Sequence, residues 1–101
     1  MAMAGSAGAA LGDGADQIED SYGPVMSRRS HDDGTLDIVY QKDRYLITVT
    51  FNRGVSVAEQ YARADRRALS EKEIARLRKM NAGREMTETR IGGALKVKIK
   101  N

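Results

Sequence analysis

Cysteine and tryptophan are absent from the 101 residues, and proline and histidine occur once each. Without cysteine there is no disulfide, no thiolate nucleophile and no zinc-finger pattern. A single histidine, His31, excludes multi-histidine metal sites and argues against most Ser–His chemistry. No run approaches the roughly 20 apolar residues of a membrane-spanning helix, nor the basic start and apolar stretch of a signal peptide. Neither Gly-x-x-x-x-Gly-Lys nor Gly-x-Gly-x-x-Gly occurs, so the glycines form no phosphate loop. The length holds one small domain with a modest core.

Charge is present in quantity, and it is unevenly placed. The net charge of +3 conceals a division. Residues 1–41 carry two basic and seven acidic side chains, a net of −5. Residues 42–101 carry fifteen basic and seven acidic ones, a net of +8. Such polarity points to a polyanionic partner or to attraction between the two halves of the fold.

Residues 1–14 are mostly Gly, Ala and other small residues, with Leu11 as the one core candidate. They bury too little apolar area to offset chain entropy, so a disordered arm is expected. The segment reads as a flexible arm, an appended start or the remnant of a trimmed signal. A single domain is expected over 15–101. Residues 15–22 suit a short helix with Asp16 as N-cap, Ile18 and Tyr22 on one face, and Gly23-Pro24 as the stop. Val25 and Met26 read as extended, and the polar run Ser27 to Gly34 as a loop.

Leu36, Ile38 and Tyr40, then Tyr45, Ile47, Val49 and Phe51, recur with period two across Lys42-Asp43-Arg44. This predicts an antiparallel hairpin, followed by a turn at Asn52-Arg53-Gly54. Val55 to Arg63 admits two readings. Val55, Val57 and Tyr61 share a strand face interrupted by Glu59, whereas Ser56 and Glu59 would form a helical capping box. A strand as far as Tyr61 is favoured. Ser70 and Glu73 form a capping box for a helix over 70–81, with Ile74, Leu77 and Met80 on one face and Asn81-Ala82-Gly83 as the stop. Residues 86–100 read as a hairpin turning at Gly92-Gly93, with Leu95, Val97 and Ile99 opposite Lys96, Lys98 and Lys100.

The fold expected is therefore α+β: an antiparallel sheet, made of a three-stranded meander over 35–61 and a C-terminal hairpin, against one or two short helices. Its expected core is Ile18, Tyr22, Leu36, Ile38, Tyr40, Ile47, Val49, Phe51, Ile74, Leu77, Leu95, Val97 and Ile99.

The candidate binding surface is basic: Arg63, Arg66, Arg67, Arg76, Lys79, Lys96, Lys98 and Lys100. Phosphate or an acidic partner would suit it. Ordinary solvation, helix-end electrostatics and edge-strand protection by lysine account for the same residues. Tyr45 and Phe51 fall on the apolar side of their strand, unlike the stacking platforms of RNA-binding sheets. His31-Asp32-Asp33 reads as a solvated loop rather than a metal fragment. No catalytic set, cofactor or metal site is expected.

Tyr22-Gly23-Pro24 and the hairpin ending in Phe51-Asn52-Arg53-Gly54 resemble small bacterial envelope domains of the SmpA/OmlA type, and more generally β-lactamase-inhibitor-protein-like domains, while Gly54 to Asn81, with Tyr61 and the Leu69-Ser70-x-x-Glu73-Ile74 helix, resembles small uncharacterised bacterial proteins. The resemblance covers residues 18–81. It implies a helix packed on an antiparallel sheet, and protein contact rather than catalysis. It differs in lacking the acylated cysteine of those lipoproteins, so the lipid anchor is absent or was removed with a trimmed N-terminus. The functional expectation is a non-catalytic protein-interaction module of a bacterial envelope or secreted protein. Its rival is nucleic-acid or polyanion binding through the basic C-terminal half. A homo-oligomer fits either. A periplasmic or secreted location follows if a signal was trimmed, and a cytoplasmic one otherwise.

Overall fold

Eight elements follow one another in the computed structural model, which describes residues 11–81 and 85–99. They are α1 (Ala15–Tyr22), β1 (Val25–Ser30), β2 (Leu36–Lys42), β3 (Tyr45–Asn52), β4 (Val55–Arg63), α2 (Glu71–Met80), β5 (Met86–Ile91) and β6 (Ala94–Ile99). The six strands form one antiparallel sheet in the order β1-β2-β3-β4-β6-β5, so the fold is α+β. No described helix is long and apolar enough to cross a membrane.

The alternation in β2 and β3 fixes their register. Ile38 lies opposite Val49, and Tyr40 opposite Ile47, which places all four on one face. Tight turns join the strands. Arg53 and Gly54 both take positive φ, 55° and 84°, as a two-residue hairpin turn that matches strand twist requires. Val55 to Arg63 is a strand throughout, paired with β3 from Asn52↔Val55 to Tyr45↔Arg63. A bulge between Thr50 and Phe51 in that pairing adds Val57 as an extra residue and leaves both Ser56 and Glu59 fully buried.

Helix α2 begins as its sequence predicts. Ser70 Oγ accepts from the Glu73 backbone N–H at 3.1 Å, and Glu73 Oε1 accepts from the Ser70 N–H at 2.9 Å. Helix α1 is capped differently from expectation. Its N-cap is Gly14, whose carbonyl accepts from the Ile18 N–H at 3.0 Å, while Gln17 reaches back to the Gly14 N–H at 2.9 Å. Asp16 sits inside the first turn, where a carboxylate suits the positive helix end. Both helices lay Ile18, Tyr22, Ile74 and Leu77 on the face that carries Ile38, Val49, Phe51, Leu95 and Val97. The opposite face presents Asp37, Thr48, Thr50, Gln60 and Lys96.

Three expectations are corrected. Residues 27–30 are not loop: β1 runs through Ser30 and pairs with β2. It is an edge strand with both faces largely in water, so no apolar alternation marks it. The expected meander of three strands therefore has four, and β6 joins the same sheet through β4. Residues 11–14, expected in a disordered arm, are packed. Leu11 is 3% exposed, and the Gly12 N–H and Asp13 carbonyl bond the backbone of Ser56 at 2.8 and 2.9 Å. Residues 1–10, and the stop assigned to Ala82-Gly83, lie outside the described residues. Leu36 and Ile99 are half-buried at the core margin, whereas Tyr61 and Leu69 join the core unannounced.

One glycine is there for close approach. A Cβ on Gly93 would lie 2.7 Å from the Ala68 Cα, and the Gly93 carbonyl accepts from the Leu69 N–H at 2.9 Å. The segment leading into α2 is thereby pinned to the β5–β6 turn.

Candidate binding cleft and buried carboxyl network

Register places Tyr45, at the start of β3, directly beside Arg63, at the end of β4. Over this corner lies the first turn of α2. The three elements enclose a cleft of about 560 Å³ lined by Asp43, Arg44, Tyr45, Arg63, Ser70, Lys72, Glu73 and Arg76. Four cations face two carboxylates there, an excess of two positive charges.

Glu73 organises the wall. Its carboxylate accepts from the Tyr45 hydroxyl and stands 3.4 Å from Arg63 Nη1. The Ser70 backbone N–H first, and then the Tyr45 hydroxyl, hold its pKa down at about 2. Burial, and then the Glu73 carboxylate, push the Tyr45 hydroxyl up. Arg76 donates to the Tyr45 oxygen at 2.8 Å, with its guanidinium carbon 5.9 Å from the ring centroid. Arg63 also grips Asp65 bidentately, at 3.0 and 2.7 Å, and holds that carboxyl well below the usual range. Among the described residues, neither Arg44 nor Lys72 has a carboxylate within ion-pair distance.

A smaller hollow of about 180 Å³ continues the cleft and shares Asp43, Tyr45 and Arg76 with it. Ile47, Leu77 and Met80 make it apolar. Chemically, the pair can take an anionic group next to an apolar one. The Ser70 hydroxyl is committed to capping α2.

Beneath this corner lies a network that the sequence showed only as an irregularity. Glu59 is fully buried. Tyr22 and Tyr61 donate to its Oε1 at 2.8 and 2.7 Å, and Ser56 donates to its Oε2 at 3.0 Å. Burial raises the Glu59 pKa, and the three hydroxyls oppose that rise. Burial also pushes both tyrosines far up. Asn81 extends the network. Its Nδ2 donates to the Tyr61 oxygen and to the Leu77 carbonyl, each at 3.0 Å, and its Oδ1 accepts from the Leu11 N–H at 3.1 Å. The signal available was Glu59 itself, a charge breaking the apolar face of β4.

Of the eight basic residues proposed from sequence, the seven that lie among the described residues do not converge. Arg63 and Arg76 line the cleft. Arg66 and Arg67 are exposed in the connection after β4, and Lys79 is exposed in the last turn of α2. Lys96 and Lys98 alternate with buried Leu95 and Val97, which turns them to the face away from the helices. Lys100 lies outside the described residues. Arg44 and Lys72 were missed because acidic neighbours, Asp43 beside Arg44 and Glu71 and Glu73 beside Lys72, keep both out of any basic run in the sequence. His31 pairs with Asp37 at 2.8 Å, and Asp33 accepts from the Thr35 N–H and hydroxyl. Among the described residues no three His, Cys, Asp or Glu side chains gather to hold a metal. Compared with known proteins, the chain matches no family model, no curated protein and no solved structure.

Proposed function

We propose that this chain is a non-catalytic protein-interaction module whose cleft takes an acidic segment of a partner protein. One observation carries the reading: Arg44 and Lys72, without carboxylate partners among the described residues, flank a cationic cleft continuous with an apolar hollow. A carboxylate side chain would sit among the cations while a neighbouring apolar side chain fills the hollow against Leu77 and Met80. Arg63 pairs with Glu73, and Glu73 and Arg76 both hold the Tyr45 hydroxyl, so the wall is set before the partner arrives. Placement in a bacterial envelope or secreted protein is drawn from the SmpA/OmlA resemblance of residues 18–81.

The test is an NMR titration with short peptides that alternate acidic and apolar residues. Amide shifts should cluster at Arg44, Tyr45, Arg63 and Lys72. Arg44→Glu with Lys72→Glu should weaken binding about tenfold or more, a loss of about 1.4 kcal/mol, with melting unchanged. Heparin or duplex DNA binding at Lys96 and Lys98 instead would overturn the proposal in favour of a polyanion binder.

A further inference from the structure

The sheet ends on two edges of different character. At one edge β1 is interrupted by a bulge between Val25 and Ser27, which leaves Met26 unmatched to β2, and it carries Arg28 and Arg29 side by side. Bulges and adjacent like charges blunt an edge. At the other, β5 pairs with β6 without a break from Met86↔Ile99 to Ile91↔Ala94. It has no proline, no lysine and no bulge. Among the described residues, no strand covers its outer side.

We propose that β5 pairs antiparallel with β5 of a second copy, joining two six-stranded sheets across a two-fold axis at Thr89. The two-residue turn Gly92-Gly93 makes Ile91↔Ala94 the hydrogen-bonded pair that closes the hairpin. Alternation then turns the main-chain N–H and C=O of Glu88 and Arg90 outward, away from β6. A two-fold axis perpendicular to the sheet pairs residues of the same face. Centring it on Thr89 sets Glu88 opposite the second copy's Arg90, and Arg90 opposite that copy's Glu88. Centring it on Glu88 or on Arg90 would instead set like charges opposite each other, which is destabilising. The self-complementary register is therefore unique among those centred on the three middle residues.

Helix α2 holds the two charged side chains in place for this. Arg78 grips Glu88 bidentately at 2.8 and 2.7 Å, and Glu71 pairs with Arg90 at 3.1 and 3.2 Å. Dimerisation would extend each pair into a row of alternating sign, Arg78–Glu88 followed by the second copy's Arg90–Glu71. The assembly closes at two copies, because the axis consumes β5 and leaves only the bulged β1 edges outside.

The pairing is tested by sedimentation and by cysteine cross-linking, which the cysteine-free chain makes clean. The full chain should sediment with twice its 11.1 kDa mass and melt at a temperature that rises with concentration, and Thr89→Lys should return it to a folded monomer whose melting temperature does not depend on concentration. At the axis the two residue-89 positions form a non-hydrogen-bonded pair, with Cα atoms about 4.5 Å apart, within disulfide reach. Thr89→Cys should therefore oxidise to a covalent dimer. Thr87→Cys should not, since the two copies of residue 87 lie about 13 Å apart along the strands. A monomer at every concentration, a dimer insensitive to Thr89→Lys, or equal cross-linking of both cysteine variants would each overturn the proposal.

Discussion

Tyr61 donates its hydroxyl hydrogen to Glu59, two positions earlier on the same strand, at 2.7 Å. The two side chains project from one face of β4, as alternation requires, and meet in the interior. Among the described residues that carboxyl group has hydroxyl donors and no cation, so burial makes its ionised form the costly one.

That cost sets a pH dependence. Folding raises the Glu59 pKa above its ordinary value of 4.5, so the native state holds its proton more tightly than the unfolded chain. The stabilisation is full below the unfolded pKa and is lost as pH rises through the folded one. The slope cannot exceed one proton, about 1.4 kcal/mol per pH unit. Glu59→Gln removes this loss. Its melting temperature, relative to the parent, should rise as pH is raised from 4.5 towards neutrality. Parallel curves would show that Glu59 does not titrate on unfolding.

Glu73 has the opposite sign. Its pKa is held at about 2, so its stabilisation is present above its ordinary 4.5 and disappears as pH falls towards 2. Glu73→Gln should flatten the acid limb of the stability profile. Ser70→Ala, which deletes the reciprocal cap, should cost about 1 kcal/mol by urea denaturation.

Asn81→Leu should cost about 2–3 kcal/mol, because it strands the buried N–H of Leu11 and the carbonyl of Leu77 at once. Hydrogen exchange would locate the damage. Protection should fall at Leu11 and Gly12 before it falls in β3, since Asn81 is what ties that segment to the end of α2.

Gly93→Ala forces a methyl group onto backbone 2.7 Å away at Ala68. Overpacking of this kind costs about 1–3 kcal/mol. The change should appear as a lower denaturation midpoint with an unchanged slope. Gly34→Ala is the comparison: a Cβ there meets nothing within 4 Å, so only the strain of its positive φ, 88°, which Gly93 does not have, opposes the change. It should cost less.

Legibility followed burial on one face. Ile38, Tyr40, Ile47 and Val49 alternate because one side of β2 and β3 meets the core and the other meets water, and that contrast is written into the residues. Ser70 and Glu73 were equally readable because capping is local. Arg28 and Arg29 in β1 gave no such contrast, since an edge strand is held by main-chain bonds to one neighbour. Leu11 is one apolar residue among small ones, and its burial depends on Asn81, 70 positions away. The cleft was half legible. Arg63 and Arg76 stood out as charge, but their separation from Lys96 and Lys98 depends on which face α2 covers, a tertiary fact.

The strand order β4-β6-β5 places β6 inside the sheet, although α2 and β5 both precede it in the chain. During synthesis from the N-terminal end, β4 is therefore paired on one side only until Ala94–Ile99 emerges. Its second row of main-chain groups stays open for that interval. The sheet is finished only when β6 pairs with β4 and brings β5 with it. A ribosome paused before residue 94 would present β4 as the chain's most adhesive edge.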